Sequence, residues 1–371
     1  MGKIYTALGL MSGTSMDGVD ASIIQTDGKS KYKAILDKYF EYPSSIYQNL
    51  TKLRDEIKSS KDLKKHKKQI KSIEKEITIF HAKAVNEILK KEKKDVDFIG
   101  FHGQTIFHNA EEKITKQIGD GKLLSKLTKK KVVYDFRQSD LKNDGQGAPL
   151  TPIFHELLVK TKSIDLPVCF INLGGIANIT ILKNYISDHI ATDSLISYDI
   201  GPGNCLIDEW IRKKTKKKYD NKGLIAKSGK INQNVLTKEI SNINQNELKT
   251  TFDIKNFDLS FVKNFSLEDG AATLTEFTVQ LISSDIKFAK EIKSKIILCG
   301  GGRKNKFLIQ KLKKIYSHIK LIDCYGVDGD FVESQAFAYL AIRSYLKLPI
   351  SFPETTGCKK PCTGGVLVKN Y

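Results

Sequence analysis

The sequence predicts an α/β protein of two lobes. Three observations carry that expectation. Strand-like runs alternate with amphipathic helical stretches along the chain. The length of 371 residues is long for one core and comfortable for two. A glycine-rich hairpin occupies residues 4–26 and another residues 168–182, equivalent places in the two halves, which points to an internal duplication with a cleft between lobes.

In the first half, apolar runs Ile4–Leu10 and Val19–Thr26 flank the polar turn Met11–Gly18. From Ser44 to Glu92, apolar residues Ile70, Ile73, Ile77, Phe80, Ala84 and Ile88 recur at helical spacing, with a Lys-rich loop or exposed helix near 58–71. Val96–Phe101 and Val132–Phe136 read as strands, and Asn143–Gly147 leads through Pro149 and Pro152 into a helix with proline in its first turn. The second half reads as strand Val168–Asn172, turn Leu173–Ala177, strand Asn178–Leu182, strand Leu195–Ile200, turn Gly201–Gly203 and a helix opening near Asn204. Then come helix Ala271–Lys293, strand Lys295–Cys299, turn Gly300–Gly302, helix Arg303–Tyr316, strand Ile319–Asp323 and helix Phe331–Leu346.

A net charge of +19 invites a nucleic-acid reading, but only five of 61 basic residues are arginine, the preferred residue for bidentate phosphate and base contacts. Scattered lysine on surface helices is the better account, and the run Arg212–Lys218 reads as the solvated end of a helix. No nucleic-acid partner is expected. The most apolar stretch, Val168–Leu182, is too short and too polar to span a bilayer, and no secretory leader is expected at the N-terminus. Six cysteines sit mostly in or beside apolar runs, as in a reducing cytoplasm. Cys358 and Cys362 are four apart, but no second pair or histidine follows at zinc spacing, so no metal or redox role is expected from them.

The common phosphate-binding and hydrolase signatures are absent: no GxxxxGK[ST], no GxGxxG and no GxSxG. Four glycine-rich turns at strand ends stand in their place. Glycine there lets backbone N–H groups approach anionic oxygens. In the first turn Ser12-Gly13-Thr14-Ser15 adds hydroxyls, and Asp17 and Asp20 are candidate Mg²⁺ holders. Asp199 ends an apolar strand before Gly201-Pro202-Gly203-Asn204, a good position for a general base; a capping role is the plainer account, but Asn204 already supplies a cap. His102 and Gln104 close another strand and offer neutral donors, unless His102 is a satisfied structural histidine. Arg137 is either ion-paired with Asp135 or Asp140 or kept for a carboxylate or phosphate, Gln146 and Gly147 line a site or form a loop, and Glu333 is catalytic or simply suits a helix N-terminus.

Together these motifs resemble the anhydro-N-acetylmuramic acid kinases. The carriers are Gly9-Leu10-Met11-Ser12-Gly13-Thr14-Ser15-Met16-Asp17-Gly18-Val19-Asp20, His102-Gly103-Gln104-Thr105, Asp135-Phe136-Arg137, Gly145–Leu150, Asn172–Asn178, Asp199–Asn204 and Gly300-Gly301-Gly302-Arg303 with Asn305, in the family's order over nearly the whole chain. The resemblance implies a two-lobed fold of the actin, Hsp70 and sugar-kinase superfamily, ribonuclease H-like, with ATP and Mg²⁺ bound in the interlobe cleft. It implies a first lobe of 1–140 plus about 350–371 and a second of 141–349. It implies ATP contacts from Gly13, Thr14, Ser15, Met16, Asp17, Gly18, Val19, Asp20, Gly174, Gly175, Asn178, Gly201, Gly203, Asn204, Gly300, Gly301 and Gly302. Sugar contacts would come from His102, Gln104, Asp120, Arg137, Gln146 and Gly147, and catalysis from Asp199 and Glu333. The implied reaction opens the anhydro ring with water and phosphorylates O6, in a cytoplasmic homodimer that recycles peptidoglycan. Two segments depart from the family pattern: Leu141–Gln146, where small residues and a glycine pair are usual, and Cys358-Lys359, where alanine and arginine are expected.

Overall fold

The computed structural model describes residues 2–92, 95–184, 194–242, 252 and 257–369. Two compact units emerge, Met1–Ile164 with Phe331–Tyr371 and, inserted between them, Asp165–Asp330. The division therefore lies at 164/165 and 330/331, not at 140 and 350, and the physical reason is packing. Phe154, on the helix Pro152–Thr161, sits between Tyr32 and Tyr339 with ring centroids 5.4 and 5.8 Å away, which ties that helix to the first unit.

The strands are β1 (Tyr5–Ser12), β2 (Gly18–Thr26), β3 (Tyr32–Glu41), β4 (Phe98–Asn109), β5 (Ile114–Ile118), β6 (Val132–Tyr134), β7 (Val168–Leu173), β8 (Ile176–Leu182), β9 (Leu195–Pro202), β10 (Lys295–Cys299), β11 (Lys320–Leu321) and β12 (Val366–Val368). The first unit holds a sheet ordered β12-β6-β4-β1-β2-β3, with β5 paired to β4; the second holds β11-β10-β7-β8-β9. Directions match as well as order. In each unit a three-stranded antiparallel meander is followed by two strands parallel to its first: β1, β4 and β6 in one, β7, β10 and β11 in the other. The duplication expected from two hairpins extends to five strands.

In the first unit the pleat sends alternate residues to opposite faces. Leu8 and Leu10 of β1 join Ile46, Leu50, Ile73 and Ile77 from the helices Ser44–Glu56 and Lys67–Glu92. On the other face the helix Val332–Tyr345 lies so close that a Cβ on Gly9 would stand 1.8 Å from the Ser334 carbonyl oxygen, and one on Gly100 2.1 Å from that of Phe337. In the second unit Ile171 and Leu173 of β7 pack with Trp210, Phe277 and Ile282 from the helices Cys205–Lys214 and Leu267–Glu291. The latter helix starts earlier than expected because Ser266 caps it, accepting from the Asp269 N–H at 3.1 Å. The cationic run ends its helix as expected, with Arg212, Lys213 and Lys214 in the last turn.

Candidate active site

The first unit carries the first glycine-rich turn between β1 and β2. Met16 adopts φ +58°, which returns the chain into β2, and its side chain is buried with that of Val19. Neither side chain is exposed; the exposed tip consists of Thr14 and Ser15. Ser12 is also turned inward, 2.9 Å from the Tyr42 hydroxyl and 3.3 Å from His81 Nε2. Gln104 Nε2 donates to the Gly13 carbonyl at 3.0 Å, so β4 holds the turn from the side. The Gln104 Oε1 atom is buried and has no hydrogen-bond partner among the described residues. An unsatisfied buried acceptor of this kind marks a place where a ligand donor fits.

Asp17 accepts from the Ser15 hydroxyl at 2.6 Å. Burial, then the charges of Asp17, Glu41 and Asp20, push the Tyr39 phenol above its ordinary range, so these carboxylates gather round one hydroxyl. An all-oxygen carboxylate set at a glycine-rich turn suits a hard cation such as Mg²⁺.

His102 and Gln104 do not end their strand: β4 runs on to Asn109 because β5 pairs alongside it. His102 is buried between the Phe337 ring, 4.5 Å away, and Arg137. Arg137 donates to His102 Nε2 through Nε at 3.1 Å and to the Gly147 carbonyl through Nη1 at 3.0 Å. These bonds assign the proton of a neutral His102 to Nδ1, which then donates to the Gly103 carbonyl at 2.8 Å. Burial, helped by the Arg137 charge, holds the imidazole well below its usual range, so it stays neutral. Glu333, the second residue of the helix Val332–Tyr345, is raised by burial and opposed by the same guanidinium. His102, Arg137, Gly147 and Glu333 therefore form one group.

Asp120 stands apart in role. It caps the helix Gly121–Thr128, its carboxylate accepting from the Lys122 and Leu123 N–H groups at 2.9 and 3.0 Å. Gln146 and Gly147 belong to a loop fixed by Asp140, whose carboxylate accepts from the Gly147 N–H at 2.7 Å and the Thr356 hydroxyl at 2.7 Å. Asp140 thus anchors the loop rather than pairing with Arg137, and that role was not legible in the sequence, since Thr356 lies far along the chain.

The second unit gathers the other three turns. Asp199, on β9, is buried opposite Asn178 of β8 and accepts from the Phe252 N–H at 2.8 Å. Its strand continues to Pro202 rather than ending at Ile200. The Gly203 and Cys205 N–H groups donate to the Gly175 carbonyl, and the Asn204 N–H to that of Gly174, at 2.9 to 3.1 Å. Asn204 is the N-terminal flanking residue of the helix Cys205–Lys214, but its side chain does not cap it. It donates instead to the carbonyls of Leu173 and Gly174 at 3.0 and 3.1 Å, stitching two turns together. A Cβ on Gly302 would fall 2.5 Å from Asn204 Nδ2, so the third turn abuts the same stitch. Gly300 needs its φ of +79° and its missing Cβ, which would meet Asn172 Oδ1 at 2.2 Å. Gly301 is exposed, and a Cβ there would meet nothing within 4 Å. Arg303 is committed elsewhere, paired with Asp323, Asp328 and Asp330. Thr278 donates to the Gly203 carbonyl at 2.9 Å, a support that the sequence pattern did not signal.

A duplicated α/β frame with glycine turns at its strand ends suits a kinase, whose phosphates need closely approaching backbone N–H groups. The family model described as anhydro-N-acetylmuramic acid kinase matches residues 5–370. The protein of that name from Pelagibacter ubique is 57% identical over 380 residues, covering 100% of both chains, and that from Agrobacterium fabrum 37% identical over 379 residues, again 100% of both. Among solved structures, the ADPNP-bound activator of the 2-hydroxyisocaproyl-CoA dehydratase from Clostridium difficile is a distant likeness, with 10% identity, a TM-score of 0.41 and coverage of 91% of this chain and 94% of that one. The chain belongs to the anhydro-N-acetylmuramic acid kinase family.

Proposed function

We propose that the protein uses ATP to open 1,6-anhydro-N-acetylmuramic acid with water and phosphorylate O6, giving N-acetylmuramate 6-phosphate in peptidoglycan recycling. The observation that carries this reading is the end-to-end match, at 57% identity, to a relative bearing that enzyme's name.

The chemistry follows from the substrate. Its O6 bridges to C1, so there is no 6-hydroxyl proton to remove. Asp199 deprotonates a water that attacks C1; the C1–O6 bond breaks, and O6 takes the γ-phosphoryl group as it leaves. Coupling the two events spares a free alkoxide. The buried carboxylate is oriented by the Phe252 N–H, which supports its role as base. The exposed Gly301 backbone, the Gly174–Gly175 turn and the Gly13–Ser15 tip supply N–H groups for the phosphates of ATP, while the Gly203 and Asn204 N–H groups and the Asn204 amide hold the Gly201–Asn204 turn in place beside Gly174 and Gly175. Asp17 and Asp20 hold Mg²⁺, which neutralises phosphate charge when bound. Arg137, braced by His102 and Gly147, binds the carboxylate of the lactyl side chain, with Gln104 and Gln146 beside it; Glu333 acts next to it. Asp120 contributes to the sugar site through the start of the helix it caps. The reading also carries a homodimer working in the cytoplasm; among the described residues no helix is long and apolar enough to cross a membrane.

The test is incubation with Mg-ATP and the anhydro sugar in ¹⁸O-labelled water. One ¹⁸O at C1 of a sugar phosphate supports the coupled reaction. No turnover of the anhydro sugar, but phosphorylation of N-acetylmuramic acid or a hexose, turns the case to an ordinary sugar kinase. Asp199→Asn is expected to abolish product formation while ATP still binds; near-wild-type turnover removes Asp199 as base.

A further inference from the structure

The two segments that depart from the family pattern touch each other. Lys359 pairs with Asp144, its N–H donates to the Asn143 carbonyl at 2.9 Å, and Asn143 Nδ2 donates to the Lys360 carbonyl at 2.6 Å. The contact brings Cys358 and Cys362 to Asp140. One sulfur from each cysteine and a carboxylate oxygen of Asp140 lie within 4.8 Å of one another, and Cys362 Sγ is 3.9 Å from Asp140 Oδ1. Cys358 and Asp140 are each 1% exposed, whereas Cys362 is half-buried and opens the cluster to solvent.

We infer that Cys358, Cys362 and Asp140 bind a zinc-type divalent cation that clamps the loop 143–147 to the C-terminal segment. Sequence spacing hid this ligand set, since the third member comes from more than two hundred positions upstream.

Three considerations support the site. The donor set, two thiolates and one carboxylate, suits Zn²⁺. Tetrahedral zinc with bonds of about 2.3 Å to sulfur and about 2.0 Å to oxygen needs ligand atoms roughly 3.5–3.8 Å apart; Cys362 Sγ and Asp140 Oδ1 stand at 3.9 Å, and all three atoms lie within 4.8 Å of one another, so a small inward shift completes the set. Among the described residues the buried Asp140 carboxylate is met by the Gly147 N–H, the Thr356 hydroxyl and Cys362 Sγ and by no cationic side chain, although a buried carboxylate strongly favours a compensating cation. A carboxylate offers about four lone-pair positions, and the Gly147 N–H and Thr356 hydroxyl bonds orient it without exhausting them. Binding releases the two thiol protons to solvent and leaves a fourth position to water. No electron transfer is involved.

The test uses the full chain, reduced, stripped with a chelator and titrated with Co²⁺, then Zn²⁺. Expected are one equivalent of tightly bound Co²⁺ with thiolate-to-cobalt charge-transfer absorption and tetrahedral d–d bands, and its displacement by Zn²⁺. Cys358→Ser and Cys362→Ser should each weaken binding at least about tenfold and the double variant should lose the charge-transfer band, while Cys324→Ser, at an exposed site, should change nothing. Amide exchange across 143–147 should slow on Zn²⁺ addition. The proposal is overturned if Co²⁺ gives no charge-transfer band, if the band survives the double substitution, or if the native protein carries a Cys358–Cys362 disulfide and no metal. None of these outcomes depends on sugar turnover, so failure here is distinguishable from failure of the proposed reaction.

Discussion

Arg137 is held on one side by a neutral imidazole and on the other by a backbone carbonyl, with the buried carboxyl of Glu333 as its acidic neighbour. The sequence offered His102 as ligand or structural residue, and in the structure its Nε2 accepts from the Arg137 guanidinium. Asn204 shows the complementary case. It has the right residue type for a cap, yet it bonds two carbonyls about thirty residues upstream, which no local pattern encodes. Glu333 gives the prediction at this scale. Burial raises its carboxyl above the ordinary glutamate value of about 4.3, so activity that needs the ionised form is lost as pH falls through that raised value. On the proposed mechanism, Glu333→Gln is expected to lower kcat by about 10²–10⁴ and to flatten the acidic limb of the pH–rate profile. A full-strength variant with an unchanged limb would leave Glu333 a purely structural role.

At the scale of elements, legibility followed periodicity and punctuation. Strands bounded by glycine turns, β1, β7 and β10, were readable almost to the residue. β3, a half-exposed edge strand, and the five-residue β5 were not, because neither has a clean apolar alternation. The glycines facing the helix Val332–Tyr345 were noticed only as part of a motif; their reason is close approach. Since a Cβ on Gly9 would strike backbone atoms of that helix at 1.8 and 2.6 Å, Gly9→Ala is expected to cost about 3 kcal/mol or more, read as a shift in the denaturant midpoint. Gly301→Ala, where a Cβ meets nothing, should leave stability within about 0.5 kcal/mol.

Across the whole molecule, the pair of hairpins correctly signalled a duplication, but the boundaries of the units depend on which sheet captures the helices Pro152–Thr161 and Val332–Tyr345, a long-range fact. Acid stability belongs to this scale too. His81, His102, His108 and His155 all lie in the first unit, and burial is the leading cause depressing each of them, His81 to about 4 and His108 and His155 to about 3. The unfolded chain takes up these protons near pH 6.5, while the folded unit does not, so stability falls as pH drops below 6.5 towards the folded values. With four such groups the slope reaches up to about 5 kcal/mol per pH unit. Calorimetry between pH 7 and 5 should show the melting temperature falling with up to about four protons taken up on unfolding; a flat profile would contradict the buried neutral imidazoles.

The insertion of one unit within the other also sets an order of birth. The helix that covers β1 and β4 is encoded after the entire second unit. At a synthesis rate of about 5–20 residues per second, the Gly9 and Gly100 face of the nascent sheet waits roughly 10–50 s for its cover. The inserted unit can close its own core on the ribosome meanwhile, so a chain that stops short of Val332 would release a finished second unit tethered to an open, adhesive sheet.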